Sequence, residues 1–267
     1  MSSADKLHKI RQLIERLRTR FVSVPLEENL SVDEQIVPFK GRSCLRQYNP
    51  KKPHKWGYKI WVLCGASRYA YDFERYTGRS DNTLVDGEED CGASGNVVIR
   101  LSRVIPTLVN HKDYFDNFFT SPDLQLYLAK KAIWSISTVC GNRILQCSLK
   151  SDVDLRKLGC GAFNEKVAVI GDIETVSVQW LDNNSCYSNS SRTKVLACCR
   201  RCLTLQTHHS RKSTDLHSTS QQLRQTKMNC LRTVRAQLKV KVFKIVSLSV
   251  LVTLVLVTLI SLWMALQ

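Results

Sequence analysis

Near the start of the chain, apolar residues recur every three or four positions: Leu7, Ile10, Leu13, Ile14, Leu17 and Phe21, set among Lys and Arg. That period predicts an amphipathic helix over residues 4–21. Residues 29–39 then read as a strand. Residues 56–64 and 69–77 read as two more, rich in aromatic and β-branched side chains and separated by Gly65-Ala66-Ser67. An acidic, glycine-containing loop over 81–95 leads to a helix over 96–108, a strand over 113–119, a second helix over 122–133 and a fifth strand over 136–140. Residues 167–170 and 175–180 suggest a small β unit. Hairpins combined with a crossover make an α/β order: a mixed sheet with flanking helices.

From residue 186 the pattern dissolves. Ser, Thr, Gln, Lys and Arg dominate, so residues 186–244 read as a flexible basic linker. Residues 245–266 are 22 positions without a charge, enough for one transmembrane helix. Charge sharpens this picture. Residues 1–190 carry 26 Lys/Arg and 22 Asp/Glu, a balance of +4, whereas residues 191–244 carry 13 against the single acid Asp215, a balance of +12. With Lys239, Lys241 and Lys244 before the apolar run, the positive-inside rule leaves the body cytosolic or nuclear, as in a tail-anchored protein. The first residues lack an apolar segment of the secretory kind, so the eleven cysteines read as reduced thiols. Cys198, Cys199, Cys202, His208 and His209 lack the paired spacing of a zinc site. The division expected is residues 1–28 as a helical segment, 29–185 as the core, 186–244 as linker and 245–266 as membrane span.

Two carboxylates stand out. Asp33 lies mid-strand between Val32 and Ile36, and Asp116 lies toward the end of the later strand. If those strands are neighbours, the carboxylates converge as in a site that holds two divalent ions for phosphodiester cleavage. An Asp at a strand end is also a common turn cap. Residues 40–68 contain eight Lys/Arg and no acid, interleaved with Tyr48, Trp56, Tyr58 and Trp61. Cations that hold phosphates beside rings that stack on bases suit a nucleic-acid surface, with Lys40, Arg42, Arg46, Lys51, Lys52, Lys55 and Lys59 as its candidates. The alternative is a solvated face over core aromatics.

The residue strings themselves are more specific. Asp33-Glu34-Gln35, Pro38-Phe39-Lys40-Gly41-Arg42, Leu45-Arg46-Gln47-Tyr48, Lys52-Pro53-His54-Lys55-Trp56-Gly57-Tyr58-Lys59 and Tyr71-Asp72-Phe73-Glu74 occur in that order. They are followed by Gly92-Ala93-Ser94-Gly95-Asn96 and Phe115-Asp116-Asn117-Phe118-Phe119-Thr120-Ser121. Over residues 5–183 the chain resembles the piggyBac transposase family, and most of all its domesticated members in animals. The resemblance implies an RNase H-like fold and DDE-type strand transfer with Mg²⁺. It maps the family's first two catalytic, metal-binding aspartates onto Asp33 and Asp116. The third belongs to a Gly-Gly-Val-Asp motif beyond a segment matched here by Trp180-Leu181-Asp182-Asn183, and no such motif follows. Gly65 also stands where relatives tend to have Asp. The expectation is a C-terminally truncated, diverged member, more an inactive remnant than an enzyme, that touches DNA weakly and without sequence preference. Two alternatives stay open: a membrane-tethered, non-enzymatic DNA- or chromatin-binding protein, and a decayed element without selected function.

Overall fold

A computed structural model of the chain describes residues 10–50, 52–78, 82–139, 149–159, 162–180 and 194–199. These fall into two units, one up to Pro106 and one from Thr107, each described by itself. In the first unit, helix α1 (Arg11–Val22) precedes strands β1 (Asn29–Pro38), β2 (Gln47–Tyr48), β3 (Trp56–Gly65) and β4 (Ala70–Arg75), and helix α2 (Gly92–Leu101) closes it. β1, β3 and β4 are the three strands expected over 29–39, 56–64 and 69–77. The expected helix start at residue 4 falls outside the described residues.

β3 is the spine of this unit. β1 runs antiparallel along one edge, from Leu30 opposite Gly65 to Pro38 opposite Gly57. The other edge is shared by β2, against Trp56 and Gly57, and β4, against Ile60 to Cys64. Opposed residues of antiparallel strands share a face. Val37, Tyr58, Ile60, Val62 and Cys64 therefore lie on one side, where with Leu45, Ala70 and Phe73 they form a buried cluster against Ile14, Leu17 and Phe21 of α1. No residue of α1 is fully buried, so its docking relies on more than apolar contact. Arg18 supplies the rest, gripping buried Asp72 of β4 with both Nε and Nη2 at 2.6 Å. Arg100 of α2 holds Glu74 of β4 in the same forked way, at 2.7 and 2.6 Å.

α2 starts four residues earlier than the expected helix. Asn96 makes this possible: its Oδ1 accepts from the Cys91 N–H, and its amide donates to Asn82 and Asp90, so a Gly-Ala-Ser-Gly string that reads as loop is fixed into a first turn. The helix stops short of residue 108 because Pro106 holds Ile105 extended, after a 3-10 turn over Ser102–Val104.

The second unit contains β5 (Lys112–Phe115), α3 (Pro122–Lys130), β6 (Trp134–Thr138), α4 (Asp152–Lys157), β7 (Phe163–Ile170), β8 (Ile173–Trp180) and β9 (Lys194–Cys199). β5 and β6 pair parallel through the crossover α3, and the order continues β6-β9-β8-β7 with antiparallel pairs. α3 is set by Pro122 at its first turn and by Ser121, whose hydroxyl accepts from the Leu124 N–H. It ends before residue 133, where Ala132 takes a φ of 54°. Two corrections follow. The strand expected over 113–119 ends at Phe115, because Asp116 turns the chain. Lys194–Cys199, inside the expected linker, is strand β9 between β6 and β8. α4 was also hidden in the sequence pattern, although Ser151 caps it by accepting from the Asp154 N–H at 3.1 Å. Residues 245–266 lie outside the described residues, and among those described no helix is long and apolar enough to cross a membrane.

Candidate nucleic-acid and metal site

Asp33 sits in the middle of β1, opposite Val62 and half-buried. One of its oxygens accepts from the Glu34 N–H at 2.7 Å. Its charge reaches Cys64 on the same face: burial, with a smaller push from Asp33, raises the Cys64 thiol to about 12, so this cysteine stays protonated. Asp116 follows β5 in the second unit. Its Oδ1 accepts from the Phe118 N–H at 2.7 Å, and the Thr120 hydroxyl lies 2.9 Å from its carbonyl oxygen and 2.8 Å from that of Thr138. This is the turn-capping role that competes with metal binding for an Asp at a strand end. Among the described residues no three His, Cys, Asp or Glu side chains gather in a group able to hold a metal ion. Within the described residues Asp33 and Asp116 each accept from a nearby backbone N–H, and no chemistry is routed through a metal here.

The basic candidates separate by environment. Glu34, adjacent to Asp33 and so on the other face of β1, takes two of them: Lys59 Nζ lies 2.6 Å and Lys52 Nζ 3.0 Å from its two oxygens. Burial alone would raise the Glu34 carboxyl, but hydrogen bonds and charge from Lys59 and Lys52 outweigh it and hold the group below its usual range. Lys59 also lies over the Trp61 ring at 4.0 Å. Arg46 is a structural clamp. Its Nη1 donates to the carbonyls of Lys40 and Gly41 at 3.1 and 2.9 Å, and its guanidinium stacks on Trp56 at 4.3 Å. Lys40, Arg42 and Lys55 remain exposed at this end of the sheet. Lys51 lies outside the described residues. Sequence reasoning passed over Glu34 because its two partners lie far along the chain, and only the register of β1 on β3 brings Lys59 to it.

This end of the sheet is held rigidly. Gly57 crosses β1 so closely that a Cβ there would lie 2.3 Å from the Val37 carbonyl oxygen. The Asn49 N–H donates to the Lys55 carbonyl at 2.6 Å, and the Phe39 N–H to the Trp56 carbonyl at 3.2 Å.

Residues 1–256 match the profile of the family described as Transposase IS4. The chain belongs to that family, in its piggyBac type. It is 34% identical over 190 residues to the human PiggyBac transposable element-derived protein 3 and 30% identical over 187 residues to the human PiggyBac transposable element-derived protein 2, each match covering 69% of the chain. Those matches cover only 30% and 31% of the relatives, so the chain spans about a third of their length. Among solved structures it matches a piggyBac transposase in a synaptic complex with hairpin DNA, at 20% identity and a TM-score of 0.53, covering 86% of this chain and 44% of that one. This shows a mixed α/β fold of the piggyBac type.

Proposed function

We propose that this piggyBac-type chain binds DNA without cutting it. The observation that carries the reading is the acid-free stretch over residues 40–68, which presents exposed Lys40, Arg42 and Lys55 on a rim fixed by the Arg46–Trp56 clamp. Exposed cations on a rigid edge neutralise phosphates and release condensed counterions, an affinity that carries no sequence preference. The piggyBac transposase solved with hairpin DNA supports the partner. The ancestral reaction of such transposases, cleavage and strand transfer, needs carboxylates that fix divalent ions. Asp33 and Asp116 retain the family's residue type, but beyond Asp182 the only acid in these 267 residues is Asp215. Removing one carboxylate from such a set takes away both charge compensation and fixed geometry.

The test is a binding and cleavage assay on one sample. The chain with Mg²⁺ or Mn²⁺ should shift a duplex carrying transposon ends yet leave it uncut and unjoined. Metal-dependent nicking that disappears in Asp33→Ala would overturn the non-cleaving reading, and absence of any shift at low salt would overturn the binding reading.

A second reading concerns placement. The 22 uncharged residues at 245–266, preceded by Lys239, Lys241 and Lys244, favour a membrane span that tethers the DNA-binding body from the cytosolic or nuclear side.

A further inference from the structure

Two aromatic rings are exposed on the basic rim where a core would hide them: Tyr48 at 52% and Trp56 at 46%. They face each other across the β2–β3 pair, ring centroids 4.7 Å apart and inclined at 43°. Arg46, itself tied to two carbonyls, covers part of Trp56 and so holds that ring against the rim. Strand alternation sets this pair on the face of β3 that carries Tyr58, where Phe39 stacks at 4.8 Å and Arg75 lies over the ring at 4.3 Å. Aromatic rings and guanidinium groups thus alternate along one side of the strand, from the buried cluster out to the exposed edge. The acid that absorbs Lys59, Glu34, belongs to the opposite face, opposed to Trp61. Lys40, Arg42 and Lys55 border the exposed end.

We propose that Tyr48 and Trp56 form a stacking platform for unpaired DNA bases, with the neighbouring Lys40, Arg42 and Lys55 holding the adjoining phosphates. The proposal deepens the DNA-binding reading above and rests on it. Within a duplex each base already stacks on its neighbours, and only ends, gaps or extruded nucleotides offer a free face. A fixed aromatic pair therefore adds affinity for single-stranded DNA over what the cations give to any DNA, because every base presents a π-face and the rings lose little freedom on binding.

The experiment is fluorescence anisotropy with the full 267-residue chain in detergent micelles. Its probes are a labelled single-stranded DNA of about 12 nucleotides, the blunt duplex of the same sequence, and the matching single-stranded RNA. Tyr48→Ala with Trp56→Ala should weaken single-stranded DNA binding about tenfold and duplex binding less than about twofold. Trp56→Phe, which keeps a ring and the fold, should retain most of the single-strand affinity. Lys40→Glu with Arg42→Glu and Lys55→Glu should weaken both DNA forms. Equal losses on single strand and duplex in the double alanine variant, or identical behaviour of Trp56→Ala and Trp56→Phe, would overturn the platform while leaving the DNA-binding reading in place. Tighter binding to the RNA than to the DNA would overturn the assignment to DNA. A wild-type chain that binds neither DNA form overturns both.

Discussion

At Glu34 two lysines that would otherwise serve a phosphate are already neutralised, at 2.6 and 3.0 Å. Glu34→Gln should therefore release Lys52 and Lys59, raise DNA affinity at low salt and steepen its salt dependence, by up to about 0.9 for each further phosphate neutralised. An unchanged slope would show that neither lysine can reach DNA. The same residue makes a pH prediction. Its folded pKa lies below the unfolded value, which for glutamate is about 4.3. Its contribution to stability is thus present above that value and lost as pH falls through the folded pKa. Urea midpoints of the wild type and Glu34→Gln, followed downward from neutral pH, should converge only once the pH has fallen through the lowered folded pKa of Glu34, on the acid side of the unfolded value. Of the site, Asp33 and Asp116 were legible as candidates from their place in the strings. The turn-capping alternative found at Asp116 was legible as well, whereas the bond from the Glu34 N–H to Asp33 was not, because it is a fact of backbone geometry. At Gly65 an added Cβ would lie 2.3 Å from Glu27 Oε1. Glu27 instead accepts from the backbone and hydroxyl of Ser67 after β3, a long-range exchange that no local spacing reveals.

Elements announced by clear periods were found nearly in place: β1, β3, β4 and the crossover α3. Those that depend on partners were missed or misjudged. β9 lies in a stretch of Ser and basic residues whose short Val-Leu-Ala run becomes a strand only between β6 and β8. β2 is two residues long and exists because β3 offers an edge. Two substitutions probe this level. Gly57→Ala must push β1 away from β3, since the new Cβ would meet the Val37 carbonyl at 2.3 Å, and a loss of about 1–3 kcal/mol is expected by urea unfolding. Little or no loss would mean that the strands separate at this end without cost. Arg18→Ala removes both donors from Asp72, whose side chain is 1% exposed. α1 should then loosen, at a cost of about 1–2 kcal/mol given the half-exposed guanidinium, with faster amide exchange in α1 than in β3. Uniform exchange across both would argue against a docking role for the pair.

For the whole molecule, the family was legible from short strings spread over much of the chain, whereas the division at Pro106/Thr107 was not, because no composition shift marks it. The proposed membrane placement rests on residues 245–266 alone. Arg at both Leu254 and Val257 should release the chain from membranes on carbonate extraction, since each costs about 2.5–3.5 kcal/mol at mid-helix. A wild-type chain recovered in the soluble fraction would remove the tether. The central claim is that the rim of Lys40, Arg42 and Lys55 is where DNA is bound, and a salt titration of duplex binding tests it most directly. With Lys40→Glu, Arg42→Glu and Lys55→Glu combined, the slope of log affinity against log salt should fall by about 2–3 and affinity at low salt should drop at least about tenfold. A slope and affinity equal to those of the wild type would contradict the account.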